Sequence, residues 1–267
     1  MALAYYALAA DREFWTEHWG RHAPAELLRI AETSPLTDLV LAGLPRAGRV
    51  LEAGCGLGQY VVLLRARGHR ALGLDWSLEA LAACRRAYPG TPLAVGDLAR
   101  LPLAPGSLAG YVSLGVVEHD PAGPDALVAE AARVLAPGGS LVLSVPYLNG
   151  VRRAASPYLR WRGARLRARG GSFYQFAFSA REVRAFLGAR GFEVRSLVPY
   201  DPARLLRGAL RALRRRRRAG APAGPPARAT GGAGPRAGLR RAARRLLYTR
   251  PARALLGHML LATAVRR

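Results

Sequence analysis

Residues 50–58 read Val50-Leu51-Glu52-Ala53-Gly54-Cys55-Gly56-Leu57-Gly58. A short apolar run ends in an acidic residue and then a glycine-rich turn, which is how a buried strand hands over to a helix. Glycine lets the backbone turn sharply and lets a ligand approach without meeting a Cβ. The dinucleotide-binding fingerprint has G-x-G-x-x-G, with a pyrophosphate at the helix N-terminus. Here the third glycine comes one residue early, and Glu52 precedes the turn. A carboxylate at that point repels a pyrophosphate and suits a ligand carrying an ammonium or sulfonium group.

Working outward, strands and helices alternate. Strands are predicted at 49–53, 71–75, 93–95, 110–114, 140–145 and 192–199, with helices at 58–67, 78–87, 124–135 and 180–190. Ser179-Ala180-Arg181-Glu182 reads as a capping box opening the last of these helices, and Gly191 as its stop. His258–Val265 is apolar enough for a final strand. Before the glycine turn, Ser34 and Pro35 predict a helix start, with Leu36, Val40 and Leu44 on one face. The apolar opening, with Tyr5, Tyr6, Phe14, Trp15 and Trp19, is read as helical and not as a signal peptide, since it has no basic leader and runs into Asp11. Short apolar strands alternating with helices imply an α/β fold, a mostly parallel sheet covered on both faces. Its ligands sit at the carboxyl ends of the strands.

Two further carboxylates fall at such ends. The second strand stops at Asp75, where a carboxylate accepts from both hydroxyls of a ribose. The third is followed by Gly96-Asp97-Leu98, where Asp97 can accept from an adenine amino group. His119 follows the fourth strand and can titrate near neutrality.

The set resembles the class I S-adenosylmethionine (SAM)-dependent methyltransferases, within them the broad type-11 group that includes quinone-biosynthesis enzymes. The matching blocks are LEAGCGLGQY (51–60), GLDWS (73–77), GDLARLPL (96–103), VVEH (116–119), ARVLAPGGSLVLSVP (132–146) and FAFSAREVRAFLGARGFEV (176–194). The resemblance implies a Rossmann-like sheet of seven strands, the last antiparallel. It places Glu52, Gly54, Gly56 and Gly58 at the methionine end of SAM, Asp75 on the ribose and Trp76 on the adenine. Asp97 and the backbone of Leu98 then hold the adenine edge, with Leu114 close to the sulfonium. It makes His119 the candidate base, for an acceptor that has a proton to lose. By family position alone, residues 147–175, with Tyr147, Asn149, Tyr158, Trp161 and Tyr174, line the acceptor side.

The charge is divided unevenly. Residues 1–150 carry 12 Arg and 14 acids, whereas 151–267 carry 29 Arg and 3 acids, and there is no lysine. Arg214–Arg218 is unbroken, and the following Ala/Gly/Pro-rich stretch cannot pack a core. The organisation expected is a helical lid at 1–45, a SAM-binding core at 46–202, an Arg-rich insertion at 203–252, partly disordered or amphipathic, and a closing strand at 253–267. The insertion is read as a solvated face, as a peripheral contact with anionic membrane through 203–250, or, with less support, as a nucleic-acid contact lacking aromatic interleaving. Cys55 and Cys84 form neither a disulfide framework nor a metal cluster. No apolar run reaches the roughly 18 residues of a membrane span, so a cytoplasmic chain is expected. The function expected is methyl transfer to a small-molecule or lipid-like acceptor. The alternatives are an RNA or protein methyltransferase docking through the insertion, and a non-catalytic SAM-binding scaffold.

Overall fold

The computed structural model describes residues 2–7, 12–204 and 246–267. The run Arg214–Arg218, the Ala/Gly/Pro-rich stretch and most of the expected 203–252 insertion lie outside the described residues. Among the described residues no helix is long and apolar enough to cross a membrane.

The strands are β1 (Leu3–Ala7), β2 (Arg49–Ala53), β3 (Arg70–Asp75), β4 (Leu93–Val95), β5 (Leu108–Leu114), β6 (Leu135–Pro146), β7 (Ser172–Ala177), β8 (Phe192–Tyr200) and β9 (Met259–Arg266). The helices are α1 (Arg12–Gly20), α2 (Pro24–Thr33), α3 (Pro35–Ala42), α4 (Gln59–Ala66), α5 (Leu78–Ala87), α6 (Asp125–Val134), α7 (Gly150–Ala154), α8 (Ser156–Arg167) and α9 (Ala180–Ala189), with α10 at Arg250–Leu256.

Seven strands form one sheet in the order β4-β3-β2-β5-β6-β9-β8. The pairs from β4 to β6 are parallel, and β9 runs antiparallel between β6 and β8. This is the Rossmann-like sheet expected. Its central strands are buried on both sides, as parallel strands between helices must be. One apolar cluster, with Leu51, Leu74, Leu143 and Leu187, packs against α6 and α9. The other, with Val50, Val61, Leu81 and Val142, packs against α2 to α5.

Local chemistry fixes the ends. Ser34 Oγ accepts from Leu36 N–H at the start of α3, and Ser179 with Glu182 forms the capping box of α9. Thr37 Oγ1 donates to Ala31 C=O at 2.6 Å and lies 3.2 Å from Tyr60 Oη, which ties the α2–α3 corner to α4.

Three expectations are corrected. The opening segment is a strand before it is a helix: β1 holds Tyr5 and Tyr6 and pairs antiparallel with β7 in a second, two-stranded sheet. Leu3 is buried by that pairing, which favours alternation over helical winding. Helix α1 begins only at Arg12 and carries Phe14, Trp15 and Trp19. The strand expected at 140–145 starts earlier: β6 begins directly from α6 at Leu135 and takes in residues 137–139. Of the residues expected on the acceptor side, Tyr158 and Trp161 face solvent, 57% and 54% exposed. Asn149 is buried in a structural role: its Oδ1 accepts from Arg152 N–H at 2.8 Å, and its Nδ2 donates to Gly257 C=O at 2.7 Å.

Asn149 therefore caps α7 and pins the turn that launches β9. Asn149→Ala leaves a buried carbonyl and a helix end without partners. The expected loss is about 2 kcal/mol of unfolding free energy, read from urea denaturation. A loss below about 0.5 kcal/mol, the range of a neutral surface change, refutes the role.

Candidate functional site

The parallel strands change direction of travel between β2 and β5, and open α/β sheets bind ligands at such a switch point. A cleft of about 160 Å³ opens there, lined by the turns after β2, β3 and β5 and by α1. A larger cavity, about 660 Å³, lies between the α2–α3 corner, the end of β8 and α10. It contains none of the glycine turn, and the chemistry of the sequence motifs gathers at the smaller cleft.

Gly54, Gly56 and Gly58 all have positive φ, at 76°, 51° and 69°. At Gly56 an added Cβ would stand 2.6 Å from the Trp19 ring, so the indole of α1 lies directly on the turn. At Gly54 it would stand 2.5 Å from Val116, so the turn after β2 and the turn after β5 touch. The turn is held to the neighbouring strand by Asp75, whose Oδ2 accepts from Gly56 N–H at 2.8 Å and Oδ1 from Ser77 N–H at 2.9 Å. Burial raises the Asp75 pKa, and its backbone hydrogen bonds pull it back.

The other expected residues divide. Gly54, Asp75, Trp76, Leu98, Leu114 and His119 line the cleft. Glu52 lies beneath the turn, 3% exposed, with Oε2 lacking a partner among the described residues. Burial pushes its pKa well up, the Val61 N–H pulls it down, and the Asp75 charge adds to the rise. Asp97 does not reach the cleft lining. It is exposed, and its Oδ1 accepts from Ala99 N–H at 2.9 Å, fixing its own loop.

His119 sits on a 3₁₀ turn, Val117–His119, and its Nδ1 lies 2.7 Å from Tyr174 C=O. A carbonyl only accepts, so Nδ1 carries the proton, and in the neutral ring Nε2 keeps the lone pair. Burial lowers the pKa and this hydrogen bond works against it. The ring packs edge-on to Trp15, with centroids 4.7 Å apart. Tyr174 thus belongs to the site's wall, although β7 is far away in sequence.

Two residues are new to the site. Gln59, at the start of α4, lines the cleft with a buried Oε1 that has no partner among the described residues. Its place directly after the glycine turn was the available signal. Glu118 is 2% exposed, and its Oε2 is likewise unpartnered. Its Oε1 lies 3.6 Å from where a Cβ on Gly115 would stand, just behind the cleft wall. Burial holds its pKa at about 8. Nothing in VVEH distinguishes a buried Glu118 from an exposed one.

The cleft therefore presents acceptors from Asp75 and Gln59, with Glu52 buried beneath the turn, and among the described residues no arginine lines it. Such a donor-poor cradle suits hydroxyl groups and cationic nitrogen or sulfur, and it disfavours phosphate. Among the described residues no group of His, Cys, Asp and Glu could hold a metal ion.

The family described as "Methyltransferase domain" matches residues 51–143. A probable S-adenosylmethionine-dependent methyltransferase of Mycolicibacterium smegmatis is 42% identical over 103 residues, 38% of this chain and 39% of that protein. A trans-aconitate 2-methyltransferase of Methylobacterium nodulans is 40% identical over 131 residues, 46% of this chain and 48% of that protein. In both, the matched stretch spans less than half of the relative's length. Among solved structures, a SAM-dependent methyltransferase from Archaeoglobus fulgidus has the same fold, with a TM-score of 0.58 at 15% identity over 96% of this chain and 100% of that one.

Glu118 gives a pH signature. Its carboxyl binds its proton more tightly folded than unfolded, so its contribution to stability is complete below about 4.5 and is lost as pH rises toward about 8. Glu118→Gln is expected to flatten the fall in unfolding free energy between those limits, with the variant the more stable of the two at the alkaline end. Parallel slopes for both proteins would mean that Glu118 is ionised when folded.

Proposed function

We propose, from the premise that this chain is a class I methyltransferase of the type-11 family, that it transfers a methyl group from SAM to a small-molecule or lipid-like acceptor. The observation that carries this reading is the set of acceptors around the glycine turn, at the switch point of the sheet, with Gln59 Oε1 and Glu52 Oε2 unsatisfied and, among the described residues, no arginine in the cleft lining. When bound, SAM supplies a methyl group already activated by its sulfonium. The protein's part is to hold, align and keep dry, and alignment alone is worth about 7–11 kcal/mol.

Each residue has a task in this proposal. Asp75 accepts from the ribose hydroxyls with the lone pairs left over from Gly56 and Ser77, since an ionised carboxylate has about four acceptor sites. Trp76 packs on the adenine, with Leu98 beside it and Asp97 at the rim as partner of the amino group. Gln59 Oε1 and Glu52 face the ammonium at the methionine end, where Gly54, Gly56 and Gly58 let the ligand come close. Leu114 adjoins the sulfonium. His119 Nε2 takes the proton of an acceptor that has one to lose. Residues 1–45 act as the lid of the 46–202 core, with Trp15 and Trp19 shutting out water. A small-molecule site typically needs about 300–1,000 Å³, so Trp19 must swing off Gly56 to admit a ligand of this size.

A cytoplasmic location with peripheral membrane contact through 203–250 belongs to the same proposal. The deciding experiment incubates the pure protein and SAM with a cell extract and searches by mass spectrometry for species that gain one methyl group. A small or amphiphilic product supports the proposal. A methylated RNA or protein replaces it by the docking reading, and SAM binding without turnover makes the chain a scaffold.

Two variants test the assignments. Asp75→Ala removes a charged hydrogen bond of about 1.5–3 kcal/mol and is expected to weaken SAM binding roughly tenfold to a hundredfold in calorimetry. Unchanged affinity removes Asp75 from the site. His119→Gln is expected to keep SAM affinity and lose about 10²–10⁴ in turnover with an acceptor that must lose a proton. Unaltered turnover leaves His119 as a support of the Tyr174 loop alone.

A further inference from the structure

From residue 131 to residue 181 the chain contains no Asp or Glu. Helices α7 and α8 lie in this stretch and show two unlike faces. Arg152, Leu159, Gly163 and Leu166 turn inward. Arg152 donates to the carbonyls of Tyr147 and His258 at 2.7 and 3.0 Å and is committed to the fold. Gly163 seats α8 on Tyr6 of β1.

The outer face combines charge with large apolar groups. Arg153, Arg162 and Arg165 are exposed, and none makes an ion pair among the described residues. Between them stand Tyr158 and Trp161, 57% and 54% exposed, their rings 5.9 Å apart. Val151 on α7 is 41% exposed, and Leu255, which rests against Gly150, is 52% exposed. Water gives no reason to hold an indole, a phenol and an aliphatic side chain outward on a helix pair, with Leu255 of α10 exposed beside them.

We propose that this face of α7 and α8 docks on an anionic lipid bilayer. Indole and phenol rings settle at the level of lipid headgroups, with their polar atoms wet and their carbon faces in the acyl boundary. Arginines around them pair with lipid phosphates while their stems lie along the apolar surface. A nucleic acid fits the same charge less well. Arg165 already stands 5.0 Å over the Trp161 ring, so one face of the indole is taken by a cation and not free for a base to stack on. The exposed Val151 and Leu255 also have no partner in a polynucleotide.

The placement joins this face to the cleft. Helix α8 packs on β1, β1 pairs with β7, and Tyr174 of β7 bonds His119. A bilayer on α8 is one two-stranded sheet away from the cleft wall. The docking itself does not depend on methyl transfer, and calorimetry with SAM on the same preparation separates failure of one from failure of the other.

The test uses the full chain with vesicles of phosphatidylcholine, with and without phosphatidylglycerol. The protein is expected to sediment with the anionic vesicles alone. Each arginine at the surface is worth about fivefold in binding, so Arg153→Gln/Arg162→Gln/Arg165→Gln is expected to weaken partitioning about a hundredfold. Vesicles with brominated acyl chains read insertion directly. They are expected to quench the tryptophan fluorescence of the wild-type chain and of a variant with Arg214–Arg218 replaced by Gln, and to lose most of that effect with Trp161→Phe. Wild-type partitioning of the triple variant, or quenching that Trp161→Phe leaves unchanged, overturns the proposal. So does a triple variant that loses single-stranded RNA binding and keeps its vesicle binding.

Discussion

The hydrogen bond from the Gly56 N–H to the Asp75 carboxylate extends the joint between two adjacent strand ends beyond the Gly54 and Cys55 N–H groups, which both donate to Leu74 C=O. Together these bonds fix the glycine turn over the end of β3 and set where the backbone leaves off and the cleft begins. The residues after β2, β3 and β5 become neighbours because that turn cannot lift away. Val116 closes on Gly54, and Trp19 settles on Gly56. A carboxylate that also serves a ligand must divide its lone pairs between structure and function. Asp75 has two oxygens and two backbone partners, so it stays fixed whether or not a third group approaches.

The parts of the fold from residue 49 to 146 and from 179 to 200 were legible because each of their signals is local. Buried parallel strands are short apolar runs, and their helices begin at residues such as Ser77 and Ser179 whose side chains bond the first free N–H groups. The opening was misread because its strand exists only through a partner some 170 residues later in the chain, and aromatic side chains suit either state. Helix α2 went unread because Ala23 makes no side-chain cap. Helix α8 has no apolar stripe to recognise, since its aromatic residues face outward among the arginines.

The candidate site was legible to a similar degree and for a similar reason. Glycines and carboxylates at strand ends announce themselves, and the structure brings Gly54, Asp75, Trp76, Leu98, Leu114 and His119 around one cleft. Burial does not announce itself. Asp97 and Asp75 look alike as residues following strands, yet one is exposed and fixes its own loop while the other is enclosed. Glu118 and His119 are adjacent letters, but the 3₁₀ turn sends one into the core and the other to the cleft. Tyr174 enters the wall only because the small sheet folds back over the turn after β5.

Strand β9 fills the place between β6 and β8, yet it is synthesised after both. While a ribosome is still making the preceding hundred or so residues, β6 has emerged with its outer edge unpaired, and β8 has no neighbour to join. An open edge of apolar parallel sheet is a template for mispairing with other chains. The nascent protein must therefore keep that seam covered, by a chaperone or by its own passing chain, until residues 259–266 arrive to close it.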